Sequence, residues 1–228
     1  MLGLFVLAYA AAVLFWRDPV TDLYNRYQQN RLEAALEEEF AAWEAAAPPS
    51  PDDATDGGEA PADSVASRAA TARDARRFTE SLEQGQAFGR IEIPGIGVEA
   101  VVVHGTRWGA DLSRGPGHYE KTEVPGLGKT VGIAGHRTTF GAPFRHIDDI
   151  GVGDRITLEM PYATFRYRVF EHEIVDADDW SVIHDRGFDT LMLSACHPLY
   201  GASERWIVYA RLVEVTPRQG EAYTLAAG

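Results

Sequence analysis

Apolar and polar positions divide this chain into four segments of different rhythm. Residues 1–16 hold no charged side chain and end against Arg17-Asp18-Pro19. As a helix they would reach about 24 Å, somewhat short of a hydrocarbon core of roughly 30 Å. With Trp16 as an interfacial anchor, residues 1–17 read as a membrane-spanning segment. Asp18-Pro19 then opens a helix. Residues 20–47 are rich in helix formers and carry a Glu-rich polar face, until Pro48-Pro49 stops them. From there to about Thr71, Pro, Asp, Ala, Gly and Ser leave almost no large apolar side chain, the composition of a flexible linker. Residues 72–83 can form one more helix, ended by Gly85. Residues 18–84 are therefore expected to be an acidic, helical and disordered stalk, a solvated spacer between membrane and domain.

After Gly85 the period becomes that of strands. Residues 90–103 read as two strands around a Pro94-Gly95 turn, and residues 130–134 as a short buried strand. Residues 154–160 and 165–176 suggest a hairpin or meander, the second strand alternating Phe165, Tyr167 and Val169. Residues 190–195 run apolar, as in an interior strand, and residues 206–215 close the set. Brief helical stretches are expected near 111–115 and 143–150. Short strands at this spacing predict a mainly β fold, a closed antiparallel or mixed barrel over residues 85–216 with a tail at 217–228.

Composition narrows the partners. At 45% hydrophobic and 24% charged residues, the chain can bury one sizeable core. The net charge of −13 is concentrated between Arg31 and Ser64, where ten acids face one base. The remainder is only mildly acidic, so a nucleic-acid partner has no support. A cleaved signal peptide is the alternative to the anchor, since Ala8-Tyr9-Ala10 resembles a cleavage site. The apolar run continues past that site, however, and no basic stretch precedes it. Arg17, Arg26 and Arg31 follow the span, which by the positive-inside rule would put the body in the cytoplasm. The expectation adopted is a single-pass cell-membrane protein with its domain outside, and a short basic stretch upstream of Met1.

Candidate chemistry starts from the one cysteine, Cys196, at the end of the apolar strand. A lone thiol on an exported protein is either a small buried hydrophobe or a reactive group. Two other side chains stand at comparable strand ends: His136, in Gly132-Ile-Ala-Gly-His-Arg137, and Arg205, which begins the last strand. Thiol attack on a carbonyl needs a thiolate, an acid for the leaving amine and a donor for the oxyanion, roles that Cys, His and Arg can fill. Singly, a histidine or arginine at a strand end is more often structural. His197 is adjacent to the thiol but should face the other side of the strand, a poor base for it. His104, His118, His146, His172 and His184 have no metal-ligand spacing, so neither metal nor cofactor is expected.

At these residues the chain resembles the sortases, membrane-anchored cysteine transpeptidases of Gram-positive bacteria, and most closely class E sortases of Actinobacteria. The resemblance covers about residues 85–215. It rests on Gly135-His-Arg-Thr-Thr-Phe-Gly-Ala-Pro-Phe144, on Leu193-Ser-Ala-Cys-His-Pro198, and on an arginine nine residues after the cysteine. It implies an eight-stranded sortase-type β-barrel, with the thiolate at Cys196, the proton donor and acceptor at His136 and the oxyanion-binding guanidinium at Arg205. The family pattern Thr-Leu-x-Thr-Cys is here Met192-Leu-Ser-Ala-Cys196, so a hydroxyl is missing at Ala195 while Ser194 keeps one nearby. Tyr119 matches a recurrent class E motif, and Tyr119, Ser194 and Ala195 are the substrate-binding candidates.

The resemblance further implies cleavage between Thr and Gly of a C-terminal Leu-Ala-x-Thr-Gly or Leu-Pro-x-Thr-Gly sorting motif. The partners would be secreted proteins bearing that signal and an acceptor amine on a peptidoglycan precursor or a pilin. Two rivals stand beside it: an exported Cys/His peptidase with water as acceptor, and an anchored β-barrel binding module whose cysteine is structural.

Overall fold

A computed structural model describes residue 3, residues 19–46 and residues 64–225. Two helices, α1 (Pro19–Ala45) and α2 (Ser64–Ser81), precede nine strands. These are β1 (Ala87–Ile93), β2 (Val98–His104), β3 (Gly117–His118), β4 (Thr130–Gly135), β5 (Arg155–Glu159), β6 (Ala163–Asp176), β7 (Thr190–His197), β8 (Glu204–Pro217) and β9 (Tyr223–Thr224). The sheet runs β6-β5-β1-β2-β3-β4-β7-β8, and pairing of β6 with β8 closes those eight strands into a barrel. Two neighbour pairs, β2–β3 and β4–β7, are parallel; the others are antiparallel. Closure removes the free edges that an open sheet would expose. The barrel is filled by side chains such as Ile91, Ile133, Phe144, Leu158, Phe165, Leu193 and Val208.

The mainly β barrel and the strand pairs expected from periodicity are present, and so are the eight barrel strands that the resemblance implied. Three local expectations change. The stretch 111–115 is a run of turns, and 143–150 holds only a short 3-10 helix, Ile147–Asp149. The tail is not all tail, because β9 pairs with the end of β8 and Tyr223 is buried against the core. Strand β3, two residues long, was too short to carry a period.

The larger correction concerns the stalk. Helix α2 begins at Ser64, so the linker cannot extend to Thr71, which is itself buried. Ala75 and Phe78 of α2 belong to the main core. Helix α1 presents Leu32, Leu36 and Phe40, spaced one helical turn apart, to Ala87, Val101 and Val103 on the outside of the barrel. Its Gln29 side chain does the work of a neighbouring strand. Val101 N–H donates to Gln29 Oε1 (2.8 Å), and Gln29 Nε2 donates to Val101 O (3.0 Å) and Arg114 O (2.7 Å). Because β3 reaches only Val103 and His104 of β2, this edge would otherwise be left unpaired. Residues 19–45 and 64–81 are packed parts of the domain rather than a solvated spacer. The proposed anchor, apart from Gly3, and residues 47–63 lie outside the described residues. Among the described residues no helix is long and apolar enough to cross a membrane.

His118 holds the short strand β3 in place. Its ring stacks on Phe88 at 4.0 Å, its Nε2–H donates to the Glu123 carbonyl (3.0 Å), and its Nδ1 meets His104 Nδ1 (2.9 Å). With the proton of His118 on Nε2, its Nδ1 accepts from His104 Nδ1–H, so the two rings cannot both be cationic. Burial pushes His118 down to about 3 and lowers His104 from its usual value, despite Glu120 and Asp111 near the latter.

Two outcomes follow. Leu36→Ala should lower stability by about 2–5 kcal/mol, read as an earlier urea midpoint, and removing residues 1–71 should cost more. An unchanged midpoint would mean that α1 is undocked in solution. Since unfolded chains protonate an imidazole near 6.5 and the fold resists it, the contribution of His118 is complete above that pH and is lost as pH falls toward 3, with His104 acting in the same direction. A His118→Gln variant, which keeps a donor for Glu123 but cannot titrate, should show a flatter melting temperature between pH 7.5 and 4.5 than the wild type.

Candidate active site

Strands β4, β7 and β8 are adjacent, and their registers bring three distant residues together. In the parallel β4–β7 ladder the last pair is Gly135 with Ala195, so His136 and Cys196 are each the residue that follows it. In the antiparallel β7–β8 ladder Cys196 pairs with Arg205. Strand alternation then sets the face. Leu191, Leu193 and Ala195 point into the main core, whereas Met192 belongs to an outer cluster with Val182, Ile207 and Tyr209. By the same parity Cys196 and Arg205 share that outer face, and His136 follows directly on the end of β4 at the same rim. The three residues picked from the sequence are thus gathered at one rim.

The substrate-binding candidates separate. Tyr119, just after β3, lies near Ser194, and its phenol is close enough to Arg205 and Cys196 to feel their charges. Burial raises the Tyr119 hydroxyl above its usual value, partly offset by Ser194 and Arg205. Its ring lies over Gly132, where any Cβ would come within 2.9 Å of it, and stands edge-on to Trp180 at 6.3 Å. Ala195 is a different matter. It is 3% exposed and packs inward in the main core, because the residue before an outward cysteine on a strand must face inward. Its side chain does not line the groove. His197 also faces away from the thiol, toward Trp206 (5.5 Å between rings), as expected.

His136 follows β4, which reaches close to the core: Gly135 sits over the Phe144 ring, with a hypothetical Cβ only 2.5 Å from it. The Nε2 of His136 is buried without a hydrogen-bond partner among the described residues, and burial lowers its pKa. A buried imidazole lacking a partner is available to a substrate. Arg205 is steadied by the turn before β8, its Nη1 donating to the carbonyls of Ala202 (3.0 Å) and Glu204 (2.8 Å).

Sequence reasoning overlooked Arg137. Its side chain is 2% exposed, pairs with Asp148 at 2.6 Å and donates from Nε and Nη2 to the Arg145 carbonyl (both 3.2 Å). Its Nη1 reaches the Cys196 carbonyl at 3.5 Å. One buried guanidinium thereby ties the loop after His136 to the strand end that carries the thiol. The available signal was an arginine directly after the histidine, inside an apolar stretch.

A barrel that presents a thiol between an imidazole and a guanidinium on three adjoining strands defines a class of cysteine enzyme. A family model for the sortase domain matches residues 91–213, and the chain belongs to the sortase family. It is 36% identical to Sortase D of Bacillus subtilis (strain 168) over 137 residues, covering 58% of this chain and 66% of that protein. It is 32% identical to Sortase SrtE1 of Streptomyces coelicolor over 158 residues, covering 63% of this chain and 45% of the relative. The matches therefore span less than two thirds of these relatives' lengths. Among solved structures, Sortase E1 from Streptomyces coelicolor with a tripeptide in the active site superposes with a TM-score of 0.56 at 30% identity, covering 59% of this chain and 92% of that one. The Clostridium perfringens Sortase D5 transpeptidase gives 0.55 at 28% identity, over 62% and 88%.

Because burial depresses His136, any reaction that needs one proton shared between thiol and imidazole should retain its rate to lower pH than an exposed histidine would allow. The acid limb of kcat/KM should fall below pH 6.5. A limb at or above pH 7 would assign the titration to another group.

Proposed function

We propose that this chain is a cysteine transpeptidase that cleaves a C-terminal sorting motif between Thr and Gly and transfers the new carbonyl to an amine. The observation that carries this is the double register of β7, which pairs Cys196 with Arg205 on one side and, on the other, pairs the residue before the thiol with the residue before His136. The Cys196 thiolate attacks the threonine carbonyl carbon, and Arg205 donates to the oxygen as it becomes negative. The C–N bond then breaks; the glycine nitrogen keeps the electron pair and takes a proton from His136. A thioester remains. An incoming amine attacks it, loses a proton to the now neutral His136, and the C–S bond breaks to return the thiolate. Transfer is favoured over hydrolysis because no Asp or Glu lies between Leu191 and Ser203 to activate water. Glu204, the first carboxylate, pairs with His197 and shares its face, away from the thiol.

The finer assignments belong to the same proposal. Likeness to SrtE1 and the position of Tyr119 favour a class E enzyme acting on Leu-Ala-x-Thr-Gly. The donors would be secreted proteins with that signal and the acceptors peptidoglycan or pilin amines. Residues 1–17 would fix the enzyme to the cell membrane with its domain outside.

Incubation with Leu-Ala-x-Thr-Gly and Leu-Pro-x-Thr-Gly peptides, with and without oligoglycine, diaminopimelate or hydroxylamine, tests this by mass spectrometry. Slow cleavage alone and a ligated product with amine are expected. Cys196→Ala should abolish both. Arg205→Lys should lose about 10²-fold or more of the rate while Cys196 still alkylates. Only hydrolysed product at saturating amine would make the enzyme a peptidase, and preference for the Leu-Pro peptide would remove the class E assignment.

A further inference from the structure

Among the described residues no hydrogen bond orients the buried Nε2 of His136, and the ring set against the imidazole is that of Phe140, 5.4 Å between centroids. Phe140 belongs to a loop in an unusual conformation. Phe140, Gly141 and Ala142 all have positive φ (51°, 75° and 44°), and two of the three are not glycine. L-residues adopt such angles only where the surroundings hold them.

What holds this loop is the first turns of α1. Phe140 N–H donates to Thr21 Oγ at 3.1 Å, and the Tyr24 ring meets the Phe140 ring edge-on at 6.4 Å. Asn25 approaches Gly141 so closely that a Cβ there would lie 2.4 Å from its Oδ1. On the far side of these contacts the packing is open. A cavity of about 430 Å³, lined by Asp22, Asn25, Gln29, Ala142, Arg145 and His146 among others, separates the helix from the rest of the loop. The loop is therefore gripped at its tip, beside the histidine, and not supported evenly along its length.

We propose that Thr21 and Tyr24 of α1 are positioning residues for catalysis, fixing Phe140 and through it the direction of the His136 imidazole. This rests on His136 being the proton donor and acceptor assigned above. An acid must aim its proton at the leaving nitrogen within hydrogen-bond distance, and with Nε2 unbonded among the described residues the packing against Phe140 sets the ring's direction. A helix that lies outside the strands of the barrel thus takes part in setting the rate.

Tyr24 is 44% exposed, and α1 is docked independently by Leu32, Leu36 and Phe40, so Tyr24→Ala should fold. In the full chain it should lower kcat about 10- to 100-fold while KM for the sorting peptide changes little. Thr21→Val should act in the same direction, and Tyr24→Phe, which keeps the ring edge, should restore the rate. The second readout needs no turnover. With ¹³C-labelled histidine, the NMR titration midpoint of His136 should rise toward the ordinary value in Tyr24→Ala as the ring loses its cover. A Tyr24→Ala protein whose His136 titrates as in the wild type overturns the proposal whatever its rate. A wild type that transfers nothing would instead overturn the transpeptidase assignment, and the titration would still decide whether α1 orients the ring.

Discussion

Strand β7 is paired on both sides and covered on both faces, and the geometry of the site depends on that double constraint. On one side it runs parallel to β4, so the two strands end at the same rim of the barrel. On the other it runs antiparallel to β8, so β8 begins where β7 ends. Parallel and antiparallel neighbours together deliver a strand end, a strand end and a strand start to one place. Slippage of either ladder by one residue would turn a side chain to the opposite face. The register is locked because both faces of β7 are buried. Leu191, Leu193 and Ala195 fill the main core, and Met192 packs outward under the segment that carries Val182.

The same alternation explains the departure at Ala195. A residue directly before the thiol faces inward, so its change from the family's threonine alters the barrel interior and not the groove lining. The groove-side hydroxyl is that of Ser194, which lies near the Tyr119 phenol. Around the site, order comes from few but buried polar groups. Arg137 ties the loop after His136 to the Cys196 carbonyl, and His118 fixes the two-residue strand that leads into Tyr119. Each has its partners in place, and a buried polar group that lost them would be costly.

Helix α1 illustrates how acidic composition can mislead. Two of its glutamates, Glu33 and Glu37, pair with Arg90 of β1, which also pairs with Glu159. Partly exposed ion pairs contribute modestly on their own. The docking is driven by Leu32, Leu36 and Phe40, and the charges lie along the edge of that stripe. Once docked, the helix reaches from the Gln29 contact at β2 to the loop beside His136, and so links the barrel wall to the active site.

Period-2 alternation and turn residues determined the strands of the barrel, because each needs only its own side chains to show which face is buried. The motifs around His136, Cys196 and Arg205 carried the resemblance to the sortases and, with it, the expectation of thiol chemistry. Three things were decided by tertiary structure alone. Strand β3 is too short for a period and exists because His118 is held by Phe88, His104 and Glu123. Arg137 and Ala195 received their roles from the direction of a side chain, which no local pattern encodes. The apolar stripe on α1 was visible in the spacing of Leu32, Leu36 and Phe40, but flanking glutamates hid it. Whether an amphipathic helix is a spacer or a clamp depends on an unfilled apolar surface elsewhere, here Ala87, Val101 and Val103, and only the folded barrel brings that surface together.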